Sequence, residues 1–108
     1  MNDHATAAAK RDTGMFLAED KANRDAPAWS ERALLALEKY CAAHPGNKFL
    51  GEDVREWAEN ARLVSAPDNG RAWGSVFRRA ASLNIIRKVG YAPARSSNLS
   101  PKCLWKAA

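Results

Sequence analysis

Three side chains in the second half of the chain, Arg71, Ser75 and Arg78, recur at intervals of four and three residues. That spacing puts side chains on one face of an α-helix. Arginine can pair with both the O6 and N7 of guanine, and serine can bond to several bases. The set could therefore read base edges in the major groove of a duplex, which admits a helix. Arg79 falls between this face and the apolar one, a better position for reaching a phosphate beside the groove. Arg87, Lys88, Arg95, Lys102 and Lys106 could add further phosphate contacts. The plainer reading is that any exposed helix face carries charges. Against it stands the sign of those charges: from Asn69 to Ala108 there is no Asp or Glu, whereas a merely soluble surface mixes both signs.

The elements that must position these residues follow from periodicity. Between Asp68 and Leu83, Ala72, Trp73, Val76, Phe77, Ala80 and Leu83 line one side of an amphipathic helix, with Arg71, Ser75, Arg78 and Ser82 pointing away. Asp68 or Asn69 can cap its first turn, and Asn84 can close it. Behind it IIRKV reads as a strand and CLW as a second, returning one. Between them the polar loop PARSSNLSP, bracketed by Pro93 and Pro101, suits an exposed wing. In front, GEDVREWAENAR keeps Val54, Trp57, Ala58 and Ala61 at helical spacing, and LVSAPDN supplies the turn. An earlier helix starts near Trp29, just after Pro27, buries Trp29, Ala33, Leu37, Tyr40 and Cys41, and ends at HPGN. KFL is a short extended piece with Phe49 plugging the core. This order is that of a winged helix-turn-helix, so the expected fold class is mainly α (α+β), with a C-terminal β-hairpin wing and an N-terminal helical arm. Residues 1–26 form the arm and 27–108 the winged domain. Trp57, Trp73, Phe77 and Leu83 should share one core beneath the hairpin with Leu37 and Phe49.

The arm, HATAAAKRDTGMFLAEDKANR, has a thin apolar stripe that includes Ala8, Met15, Ala18 and Ala22, and Gly14 sits near its middle. Such a helix is not stable alone. It packs loosely on its own domain, or it serves as a dimerisation or partner-docking helix; the sequence leaves both open.

Charge is divided unevenly. Through Asn47 six bases face seven acids, a balance of −1; from Lys48 onward eleven bases face five acids, a balance of +6. A basic half points to a polyanion, most often nucleic acid. Trp57, Trp73, Phe77 and Trp105 could stack on single-stranded bases, but their places on apolar faces favour the core. Glu52, Asp53, Glu56 and Glu59 could be taken for paired catalytic carboxylates. Without a His beside them they read as a solvated helix face. Cys41 and Cys103 stand apart with no ligand spacing around them, and His44 has no second His nearby, so no metal site is expected. Two reduced, partly buried thiols are expected instead. No phosphate-cradling glycine pattern occurs. The expectation is no cofactor, no catalysis, no membrane anchor and a cytoplasmic location.

FLGEDVREWAE, then PDNGRAWGSVFRRAASLNIIRKVGYAPAR, then the terminal LWKA, together resemble a group of small uncharacterised proteins of phages and bacterial prophages; RDTGM in the arm is in keeping. The resemblance covers most of the chain, and RAWG followed by GYAPAR is its most specific part. It implies a winged-helix DNA-binding protein and a phage context, and it brings no catalytic residues. The expected function is non-catalytic binding of double-stranded DNA, in phage transcription or replication control. The alternative is a winged-helix module docking on a replication or transcription protein, its basic face meeting an acidic partner.

Overall fold

The computed structural model describes residues 3–95 and 99–108, with side chains from Gly14 onward. These residues form an α+β protein of four helices and one three-stranded antiparallel sheet. The order is α1 (Asp3–Asp25), α2 (Trp29–Ala43), β1 (Lys48–Leu50), α3 (Gly51–Asn60), α4 (Arg71–Ser82), β2 (Ile86–Pro93) and β3 (Pro101–Ala107). Residues 96–98 of the polar loop and the side chain of Ala8 lie outside the described residues.

The helices start and stop where backbone groups find partners. Asn69 Oδ1 accepts from the Arg71 N–H at 2.9 Å, ahead of α4. Asp53 Oδ2 accepts from the Leu50 N–H at 2.9 Å, tying the end of β1 to the first turn of α3. After α4 the chain turns through Leu83 and then Asn84, whose φ of 59° is left-handed. Asparagine tolerates that region better than most residues.

One core joins all the layers. Trp29, Ala33, Leu37 and Tyr40 of α2, Phe49 of β1, Val54 and Ala58 of α3, and Ile86 of β2 are buried with Ala72, Trp73, Val76, Phe77 and Ala80 of α4. Trp73 meets Trp29 edge-on at 5.4 Å, Tyr40 meets both Phe49 and Trp57 edge-on, and Phe77 stacks on Trp105 at 5.9 Å. Trp57 is partly buried at the margin of this cluster. Leu83 corrects the expected core: it is 58% exposed. As the C-cap of α4 it has already left the helical path, so the phase that would turn it inward ends one residue too early.

β3 is the central strand, flanked by β1 and β2. Lys48 faces Lys106, Phe49 faces Trp105 and Leu50 faces Leu104; on the other side Arg87 faces Lys106 and Tyr91 faces Cys103. The pairing shifts between Lys88 and Gly90, where Val89 is the extra residue on β2, as in a β-bulge.

The arm is part of this structure. Ala18 and Ala22 of α1 are buried in the same core cluster, so the sequence boundary at residue 26 divides helices that share a core. α1 packs against α4. The approach is close because Gly74 has no side chain: a Cβ there would lie 2.5 Å from Met15 Sδ.

Candidate nucleic-acid interface

The nine residues predicted to touch DNA separate into three groups. Arg71 and Arg78 are exposed on α4, Arg87, Lys88 and Lys102 are exposed on the hairpin, and Lys106 is half-buried. Lys88 Nζ donates to the Tyr91 hydroxyl at 2.8 Å and stands 4.6 Å from the centre of that ring. The hydrogen bond to Tyr91 is the main cause of an upward shift in the Lys88 pKa.

Ser75 belongs to a second group. It is 3% exposed and its Oγ is buried with no hydrogen-bond partner among the described residues, so its expected place on the outward face of α4 is corrected. The angular reading of α4 taken alone does place Ser75 away from the core, but α1 supplies a second covering surface there. A buried hydroxyl without a partner costs about 1–3 kcal/mol. Replacing Ser75 with Ala is accordingly expected to stabilise the protein by about 1 kcal/mol, raising its melting temperature by about 4–8 °C, as measured by a thermal melt.

Arg79 and Arg95 form the third group, because each holds carboxylates of its own chain. Arg79 Nη2 donates to Glu19 Oε2 at 3.0 Å, and the Ser30 hydroxyl donates to the same oxygen at 2.6 Å. The Glu19 side chain is only 9% exposed, and Asn23 links to Ser30 beside it through both side chain and backbone. The pair thus fastens α1 to α2 and α4. A signal for Glu19 was present in the sequence: Met15, Ala18, Glu19 and Ala22 follow the i, i+3, i+4, i+7 spacing of a buried stripe, and a carboxylate on such a stripe needs partners.

Arg95, just after β2, faces the acids of α3. Its guanidinium lies 3.2 Å from Asp53 and 3.4 Å from Glu56, while its backbone N–H donates to Glu52 Oε1 at 2.7 Å. The hydrogen bond to Asp53, followed by the charges of Glu52 and Glu56, pushes the Arg95 pKa further up. The reading of these carboxylates as a solvated helix face is corrected for Glu52, whose side chain is 4% exposed. It anchors the chain where it leaves β2. Removing the Glu52 side chain by substitution with Ala leaves the Arg95 N–H without its acceptor, at an expected cost of about 1–3 kcal/mol. Arg95→Gln, which removes a largely exposed charge, should cost less than the Glu52 substitution, because solvent screens its ion pairs. Chemical denaturation of the two variants, with amide exchange at Arg95, checks that ordering.

The position of α1 bears directly on the use of α4. Met15 lies over Gly74, and the Arg71 guanidinium reaches to within 3.0 Å of where a Cβ on Gly14 would stand. Two packed helices have axes about 8–10 Å apart, and each is about 10–12 Å across. The major groove is about 12 Å wide and takes one of them. With α1 in place, α4 can present Arg71 and Arg78 beside it but cannot enter the groove along Gly74 and Ser75.

Among the described residues no group of three or more His, Cys, Asp or Glu is arranged to hold a metal ion, and no helix is long and apolar enough to cross a membrane. Cys41 and Cys103 are free and partly buried. Burial pushes the Cys41 thiol pKa up, and the charge of Glu38 adds to the shift. No protein-family model, curated protein or solved structure matches the chain.

Proposed function

We propose that this chain is a non-catalytic winged helix-turn-helix protein that binds double-stranded DNA. The observation that carries the reading is the set of exposed bases Arg71, Arg78, Arg87, Lys88 and Lys102 on α4 and the hairpin, in a stretch without a single carboxylate side chain. Helix, strand, two helices and a hairpin, with β3 central, is the element order on which winged domains are built. The hairpin supplies phosphate contacts, and Arg71 and Arg78 meet the duplex from beside α1. The protein works in the cytoplasm, and the motif resemblance favours transcription or replication control in a phage or prophage.

The test is an electrophoretic shift with random duplex and with single strand, at low and moderate salt. Contact with about five phosphates gives a log K against log salt slope of roughly −4.5, at about −0.9 per phosphate. Absence of salt-sensitive duplex binding at low ionic strength would overturn the reading. The second reading is a winged-helix module docking on an acidic protein of replication or transcription. It is favoured by the burial of Ser75 beneath α1, which closes the middle of the surface that a groove-reading helix would use.

A further inference from the structure

The registers of the sheet set three basic residues abreast: Lys48 of β1 opposite Lys106 of β3, and Lys106 opposite Arg87 of β2. Residues directly opposite one another in a ladder share a face. Phe49 and Ile86, next to Lys48 and Arg87 in their strands, are buried in the core, and Trp105, next to Lys106, stacks on Phe77. The basic row therefore lies on the outward face. Lys102, four residues before Lys106 along β3, points to that face by strand alternation. Lys48, Arg87 and Lys102 are exposed and Lys106 is half-buried. None of the four makes an ion pair with a carboxylate among the described residues.

Basic residues on edge strands can serve only to discourage edge-to-edge pairing. That accounts for Lys48 and Arg87, since β1 and β2 are the edges. It does not account for Lys106 or Lys102, which sit on the central strand. Like charges facing each other across a ladder are destabilising, and here two such pairs share Lys106. A bound polyanion would remove that repulsion.

We propose that the outward face of the sheet is a phosphate-backbone surface for duplex DNA, with Lys48, Lys106 and Arg87 as its central row and Lys102 beside it. The inference rests on the DNA-binding reading and deepens it by assigning the electrostatic part of binding to the sheet, including Lys48. Arg79 and Arg95 are already engaged with Glu19 and with the acids of α3, which leaves Arg87, Lys102 and Lys106 of the hairpin, with Lys48, for this face, while Lys88, opposite Trp105, alternates away from it. Strands about 4.8 Å apart make a three-residue row about 10 Å long. One strand of a duplex carries a charge every 3.4 Å or so of axis, so neighbouring phosphates of one strand lie within reach of the row's long, flexible side chains.

The test uses the full chain and a random-sequence duplex, comparing the parent with a Lys48→Gln, Arg87→Gln, Lys106→Gln triple variant. Loss of three phosphate contacts should flatten the salt slope by about 2.7, at about 0.9 per contact. An Arg71→Gln, Arg78→Gln variant should keep most of the slope. A Lys48→Arg, Lys106→Arg variant, which retains charge at the same positions, should bind as the parent does, and thermal melts should show all variants folded. If the parent binds duplex but the folded triple variant keeps its slope, the sheet surface is overturned while the DNA-binding reading stands. If the parent shows no salt-sensitive duplex binding, both fall.

Discussion

Replacing Trp73 with Ala is expected to lower stability by about 3–5 kcal/mol, the range for a large aromatic removed from a core. Trp73 is 3% exposed, meets Trp29 edge-on and lies beside Phe77. Its Nε1–H donates to Glu59 at 3.3 Å, so the substitution also removes a tie between α4 and α3. A domain of this size has about 5–15 kcal/mol in total, so the variant should lose a large fraction of its margin. Leu83→Ala, at a position first assigned to the same core, should change stability by no more than about 0.5 kcal/mol, as exposed positions usually do. Denaturant midpoints for the two variants decide the matter. Equal losses would mean that the helical phase extends through Leu83 and that Trp73 is not the centre of the packing.

Deleting residues 1–25 is expected to have the next largest effect, a loss of about 3 kcal/mol or more. The hydrogen bonds to the buried Glu19 carboxylate go with the segment, and bonds to charged groups are each worth about 1.5–3 kcal/mol. The buried methyls of Ala18 and Ala22 add about 0.8 kcal/mol apiece. A thermal melt reads this loss. Affinity for random duplex should nevertheless stay within about threefold of the parent, because the deletion removes almost as many bases as acids and leaves the sheet residues untouched. The alternative outcome has its own size. If α4 enters the groove only after α1 leaves, docking of α1 weakens binding by the same free energy, and about 3 kcal/mol corresponds to a gain of more than a hundredfold on deletion. A gain of that size would make α1 a cover for a groove-reading helix, and unchanged affinity would leave Arg71 and Arg78 acting from beside it.

What the sequence by itself determined is local. Periodicity placed the helices around Trp29, Val54 and Trp73, Pro93 and Pro101 marked the ends of β2 and β3, and Asn69 stood ready to cap α4, because each depends on residues only a few positions apart. The distribution of charge was equally legible, since it needs no geometry. Ser75, Arg79 and Arg95 were a different matter. An exposed helix face is defined by what fails to cover it, and the covering of Ser75 comes from α1, about sixty residues earlier. Arg79 and Arg95 had the right charge for phosphates, but Glu19 lies 60 residues away and Asp53 lies 42 residues away in the chain, and only folding brings them within reach. Lys48 shows the converse. In the sequence it begins a short extended piece, and it joins a basic row only because β1 pairs with a strand that begins more than fifty residues later. Tertiary structure decided which charges neutralise one another and which remain facing outward, because pairing depends on distance in space, which the order of residues does not encode at long range.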